Sequence, residues 1–250
     1  MIEIQGVSKS YHGDVKAVDN IDLSIDAGRI FGFLGPNGAG KTTTIKMITG
    51  ILSPDSGDIV LNGKSILKEP FAAKSCFGLV PDDPNIFPRL KGLEYLRFLG
   101  DVYKVPADIR AERIKKIAAR LSLADALGDR IQSYSHGMRQ KLMIIGALIH
   151  DPDIWILDEP MTGLDPQSAF ELKVMMREHA DAGNTVFFST HVLEVAERIC
   201  DELAIIDRGH IRFAGTLAEM REQSKADDSL EAMFLRLVSE NHAPSEEAQS

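Results

Sequence analysis

The stretch Gly35-Pro36-Asn37-Gly38-Ala39-Gly40-Lys41-Thr42-Thr43 constrains this chain more than any other. Its spacing is G-x-x-x-x-G-K-[ST], the pattern of a loop that cradles nucleotide phosphates. The flanks agree with it. Arg29–Leu34 reads as a short buried strand, and Lys41–Thr49 as a helix that Gly50 is placed to end. A loop running from a strand end to a helix start aims backbone N–H groups, and the positive end of the helix dipole, at one point. That point suits phosphate oxygens. In this geometry Lys41 reaches the β- and γ-phosphates and the Thr42 hydroxyl ligates Mg²⁺. The residues predict a chain that binds a nucleoside triphosphate.

Composition narrows the setting. The 250 residues have room for one large domain or two small ones, and 44% hydrophobic with 26% charged residues is ordinary for a globular protein. A net charge of −9 argues against a basic nucleic-acid-binding face, so no nucleic acid is expected as a partner. Cys76 and Cys200 lie far apart in apolar segments and read as buried small hydrophobes in a reducing compartment. The longest clearly apolar run, Leu142–Ile149, is far short of the roughly 18–20 residues of a membrane span. The first residues, MIEIQGV, carry no secretory pattern. The expectation is a cytoplasmic chain that a second subunit would hold at any membrane it serves.

The apolar pattern divides the chain. Ile2–Val7 and Ile21–Ile25 read as strands, and Asp58–Leu61 followed by Asn62-Gly63 carries a hairpin signal. Cys76–Val80 is a short strand broken by Pro81. Helical spacing follows over Leu93–Tyr103, Ile109–Leu121 and Met138–Ile149. Strands return at Ile154–Leu157, Thr185–Ser189 and Leu203–Ile206, with helices at Gln167–Asp181 and Val192–Ile199 between them. Such alternation predicts an α/β fold, a mostly parallel sheet with helices on both faces. The helical block at about 82–150 reads as an insertion into it. Ser239–Ser250 is acidic and poor in apolar residues, and reads as a frayed tail.

A second chemical signal lies in Ile154-Trp155-Ile156-Leu157-Asp158-Glu159, an apolar strand tipped with two acids. Ligands of nucleotide-binding α/β folds sit at the carboxyl ends of strands, so these acids belong beside the phosphates. Asp158 suits a Mg²⁺ partner, directly or through water. Glu159 suits a base that orients and polarises an attacking water.

Further motifs complete an ordered set. Tyr134-Ser135-His136-Gly137-Met138-Arg139-Gln140 precedes the acid-tipped strand, Gly163-Leu164-Asp165 follows it, and His191 comes just after the next strand. From about residue 2 to 215 the chain resembles the ATPase subunit of an ATP-binding-cassette (ABC) transporter. The resemblance implies a phosphate-loop NTPase core, an N-terminal antiparallel β subdomain, an inserted α-helical subdomain and a C-terminal helical extension over 216–250. It implies ATP and Mg as cofactors. Tyr11 matches the aromatic that stacks on adenine. Ser135, His136, Gly137 and Met138 stand at the family signature, which starts a helix and meets the γ-phosphate of ATP held by the opposite subunit. Asp165 matches a loop coupling the two sites, and His191 the histidine that contacts the γ-phosphate.

Two departures mark a subset. The usual signature is Leu-Ser-Gly-Gly-Gln, whereas Tyr134, His136 and Met138 stand at three of its places here. Where the family commonly places a Gln that senses Mg²⁺ and the membrane subunit, this chain has Asp82, within Pro81-Asp82-Asp83-Pro84. Both features resemble bacterial exporter ATPases, as does the pattern of Arg212–Gly215 followed by Ser229–Phe234. The implied partners are a membrane-spanning permease on a separate chain, touched through the 82–130 helical region, and a second ATPase copy, identical or a close paralogue. The implied location is the inner face of the cell membrane. Two other readings stay open at this point. A phosphate-loop kinase of a small metabolite would leave the signature, Asp165 and His191 idle. A non-transport ABC ATPase generally carries two cassettes or a long coiled coil, neither of which occurs here.

Overall fold

The computed structural model describes residues 1–11, 15–84, 87–222 and 230–239. Two sheets build the molecule. In the first, β1 (Ile2–Tyr11) pairs antiparallel with β2 (Val15–Ile25) and with β4 (Ser56–Leu61), and β5 (Lys64–Ser65) folds back on β4. Alternation explains its one-sided burial: Ile2 and Ile4 of β1 face Ile25, Leu23, Ile59 and Leu61 across the sheet. The β4–β5 turn uses Asn62 and Gly63 at φ 48° and 76°, the left-handed pair that a two-residue hairpin needs.

The second sheet has the order β10-β9-β3-β8-β7-β6, comprising β3 (Ile30–Leu34), β6 (Phe77–Val80), β7 (Ile154–Asp158), β8 (Thr185–Thr190), β9 (Glu202–Asp207) and β10 (His210–Gly215). All its pairings are parallel except β9–β10. Parallel strands buried on both faces are apolar throughout, which is why IFGFL and IWIL lack alternation.

Helices follow the strands as the spacing predicts. They are α1 (Lys41–Ile48), α2 (Pro70–Lys74), α3 (Gly92–Val102), α4 (Ala107–Arg120), α5 (His136–Leu148), α6 (Pro166–Asp181), α7 (Leu193–Ile199), α8 (Leu217–Glu222) and α9 (Leu230–Ser239). Short 3-10 turns at Ala124–Ala126 and Ile131–Ser133 link α4 to α5. On one face of the parallel sheet, Phe31, Phe33, Ile156 and Phe187 share a core with Ile45 and Ile48 of α1 and with Ile4 and Ile25 of the antiparallel sheet. On the other, Trp155, Leu157 and Phe188 meet α5 and α6, and through α5 the helices α3 and α4. A third cluster puts Leu34, Leu203 and Ile205 under Ala196, Met220, Leu230 and Met233.

Several expectations need amendment. The N-terminal strands run well past Val7 and begin well before Ile21, because irregular register between β1 and β2 hides the alternation. One face of the parallel sheet is not simply helical: α1 lies between it and the antiparallel sheet. Cys76 and Cys200 are free and part-exposed, although burial raises the Cys200 thiol pKa well above its usual value. The helices α2 and α8 are too short to show a period. Ser229 and the tail beyond Ser239 lie outside the described residues.

Candidate functional site

Strand register assembles the site. In the parallel sheet Leu34 sits opposite Thr190, and Asp158 opposite Ser189. The loop after β3, the acids at the end of β7 and His191 after β8 therefore leave the sheet side by side. A cavity of about 200 Å³ opens there, lined by Ala17, Pro36, Asn37, Gly38, Gly40, Lys41, Thr42, Thr43, Asp82 and Glu159; Asp158 and His191 do not line it themselves and reach it through Thr42 and Glu159. Gly35 and Ala39 are buried just behind it.

Local geometry of the loop requires its last glycine. Gly40 has φ 113°, and a Cβ there would come within 2.5 Å of the Ala17 carbonyl oxygen. Any other residue would be strained by both effects. Lys41 then begins α1, is nearly buried, and donates from Nζ to the carbonyls of Gly35 at 2.7 Å and Pro36 at 3.2 Å. The same ammonium lies 3.7 Å from Glu159 Oε1. A lysine held by its own loop is a cation fixed at the loop's centre, where phosphate oxygens would sit.

The two acids sit in different surroundings. Asp158 is 3% exposed, accepts from the Ser189 hydroxyl, and is bonded by the Thr42 side chain. Burial raises its pKa above the ordinary aspartate value; the two hydroxyls and Lys41 oppose that rise, and the Asp82 charge adds to it. A desolvated carboxylate with hydroxyl neighbours and a second acid nearby is a donor set that fits a hard divalent cation sharing phosphate oxygens. Glu159 has φ 47°, a left-handed conformation costing of order 1–3 kcal/mol for a residue with a side chain. Its N–H donates to Ser189 Oγ at 3.1 Å, which stabilises the bend. Glu159 Oε2 lies 3.0 Å from His191 Nδ1, so one carboxylate spans Lys41 and His191.

Other expected residues stand elsewhere. Ser135 caps α5, accepting from the Met138 N–H at 3.2 Å, and Ser135 and His136 are exposed. Asp165 caps α6 through Ser168 and pairs with Lys141 of α5 at 2.8 Å. Those contacts, Lys141 first, hold its carboxyl well below the usual range. The two loops interlock: a Cβ on Gly137 would lie 2.5 Å from the Gly163 carbonyl oxygen. None of Ser135, His136, Gly137, Met138 or Asp165 lines the phosphate-loop cavity. Tyr11, at the exposed end of β1, does not line it either.

Three participants were not singled out from the sequence: Ala17, Ser189 and Lys141. Ser189 carried a usable signal. TVFFST is an apolar strand ending in two hydroxyls, and its parallel neighbour ends in Asp158. Ala17 acts through its backbone, which no residue type announces.

The comparisons with known proteins agree with this geometry. The model of the ABC transporter family matches residues 18–162, more than half of the chain. The chain is 37% identical over 231 residues to Nod factor export ATP-binding protein I of Cupriavidus metallidurans, covering 92% of this chain and 76% of the relative. It is 36% identical over 220 residues to linearmycin resistance ATP-binding protein LnrL of Bacillus subtilis, covering 88% and 70%. A solved ATP-binding subunit of an ABC transporter superposes with a TM-score of 0.90 at 31% identity, over 95% of this chain and 99% of that one. A dimeric cassette in a post-hydrolysis state with ADP and phosphate shares the fold, with a TM-score of 0.79 at 23% identity over 87% and 99%. This chain belongs to the ABC transporter family and is an ATP-binding, ATP-hydrolysing subunit of it.

Proposed function

We propose that two copies of this chain, or one copy and a close paralogue, close on two ATP molecules and drive a separate membrane-spanning permease that exports its cargo. One observation carries the dimer. Lys41, Glu159 and Asp82 converge on a phosphate-sized cavity, while the helix start at Ser135–Met138 opens onto solvent outside it. A helix N-terminus with exposed N–H groups is suited to an anion. In this reading it meets the γ-phosphate bound by the other copy.

The roles of the residues follow from their places. The loop N–H groups from Asn37 to Thr43 and the Lys41 ammonium hold the β- and γ-phosphates. Thr42 and Asp158, with Asp82 through water, would hold Mg²⁺, which supplies charge neutralisation on the phosphate oxygens. Glu159 accepts the proton of the attacking water. His191, its Nδ1 facing Glu159, orients that carboxylate and, in this reading, contacts the γ-phosphate. Tyr11 stacks on the adenine from β1. Asp165, fixed by Lys141 to the signature helix, carries strain at one site to the other. Losing the Glu159 base should slow hydrolysis by about 10²–10⁴-fold.

Export is supported by the relatives, whose names assign them to Nod factor export and to linearmycin and daunorubicin resistance. No helix of the described residues is long and apolar enough to cross a membrane. In this reading the chain works at the inner face of the cell membrane through the permease, docked on the 82–130 region. Phe98, Val102 and Ile109 are exposed there, a surface consistent with a covered interface.

Mixing two inactive variants tests the shared site. Lys41→Ala removes the phosphate lysine of one copy and Ser135→Arg blocks the signature of the other. A mixed dimer retains one intact composite site, so ATP hydrolysis should reappear on mixing. Variants that stay inactive together but still form mixed dimers would contradict the composite site.

A further inference from the structure

A second cavity lies between α4 and α6, on the helical face of the parallel sheet, and the ATPase reading does not use it. Trp155 reaches it from β7, three residues before Asp158 and so about 10 Å from that acid along the strand. The cavity measures about 380 Å³, enough for a small organic molecule. Arg120 of α4 ties its walls together by bonding Glu171 and Glu178 of α6. Arg113, one and a half turns earlier on α4, bonds Asp151 and the Ile149 carbonyl.

Two of the lining residues carry a buried nitrogen with no hydrogen-bond partner among the described residues. Trp155 is fully buried, and its Nε1 donor is unbonded. His179 Nε2 is unbonded as well, and the two rings meet edge to face with centroids 5.7 Å apart. Burial lowers the His179 pKa, with Asp151 and Asp153 opposing the fall, so the ring is uncharged at neutral pH and Nε2 can donate or accept. Buried polar groups are nearly always bonded. Two left open beside one cavity mark a place for a polar ligand atom.

Charge selects the ligand. The two acids of the lining, Asp151 and Glu178, are each bonded to an arginine, at 2.8 and 2.6 Å. Lys116 also lines the cavity; it feels the Glu178 charge but makes no ion pair among the described residues. Its ammonium is the charge left over, and Ile117, Leu148 and Met175 supply an apolar wall beside it. We propose that this cleft binds a small organic acid, its carboxylate shared between the Lys116 ammonium and the Trp155 indole N–H and its alkyl body against Ile117, Leu148 and Met175. His179 Nε2 is the second ring nitrogen that the carboxylate satisfies.

Trp155 is the single tryptophan, so its indole N–H gives one cross-peak in a proton–nitrogen correlation spectrum of the full chain without nucleotide. Titration with hexanoate should shift that peak saturably, whereas hexanol and hexylamine at equal concentration should not. Lys116→Gln, at an exposed position, should weaken hexanoate binding at least about tenfold, as expected when a hydrogen bond to a charged group is lost. An unchanged ATP affinity confirms that the variant is folded. An equal shift with hexanol or hexylamine would overturn the proposal, because the cleft would then not select a carboxylate. The absence of a saturable shift with hexanoate would overturn it too, leaving the cleft to water. So would undiminished binding by Lys116→Gln. None of these results depends on hydrolysis or dimerisation, so they stand apart from any failure of the proposed function.

Discussion

At the scale of the residue, Ser189 shows how the site is held. Its hydroxyl donates to the buried Asp158 carboxylate and accepts from the Glu159 N–H, fixing the orientation of one acid and the left-handed bend of the other. Ser189→Ala should therefore slow turnover with little change in ATP affinity. It should also cost about 1–3 kcal/mol of stability, because a buried carboxylate loses a partner. Ser189→Thr, which keeps the hydroxyl, should recover both. Steady-state kinetics beside thermal melts would check this, and a change in KM with unaltered kcat would contradict it. Neither role of Ser189 follows from its residue type. Lys41 and Thr42 are different: their spacing alone reveals them, because a phosphate loop needs a fixed order of small residue, lysine and hydroxyl.

Among the elements, the start of α5 and the loop before α6 behave as one unit. Lys141 pairs with Asp165, and Gly137 packs on the Gly163 carbonyl. The pair makes a pH prediction. Asp165 is held below its ordinary pKa, so its contribution to stability is complete above about pH 4, where the unfolded carboxylate is ionised, and is lost as pH falls through the lower folded value. Asp165→Asn should flatten the acid limb of a plot of Tm against pH and leave the region near pH 7 almost unchanged. The effect is modest because the carboxylate is half exposed. An unaltered acid limb would mean that other carboxylates dominate. This unit also marks what the sequence leaves unsaid. The helices α3, α4 and α6 can be read from apolar spacing, since each buries one side, whereas α5 is buried all round from Gln140 to Ala147 and is read from its apolar run. The Lys141–Asp165 pairing cannot, because its partners come from separate helices brought together by tertiary packing. The N-terminal strands outrun their alternating segments for a related reason: their pairing is irregular, and a shifted register breaks the alternation that identifies a strand.

The whole molecule is organised around the parallel sheet. Phe187 lies at its centre, stacked with Phe31 at 5.9 Å between ring centroids and tilted against Phe33 at 5.4 Å. Phe187→Ala should cost about 3–5 kcal/mol, a large share of the roughly 5–15 kcal/mol that such domains possess. Trp155, the single tryptophan, is fully buried on the opposite face and provides the fluorescence signal for that unfolding measurement. The sheet also decides function, because it sends the phosphate loop, the acids and His191 out at one end while α5 opens elsewhere. That separation calls for a second copy, and the dimer is the central claim. Light scattering after size exclusion, on Glu159→Gln with and without Mg-ATP, tests it most directly. Binding without rapid hydrolysis should convert monomer to dimer when Mg-ATP is added. A protein that binds Mg-ATP, stays monomeric and hydrolyses it at the unmodified rate would contradict both the shared site and the role of Glu159.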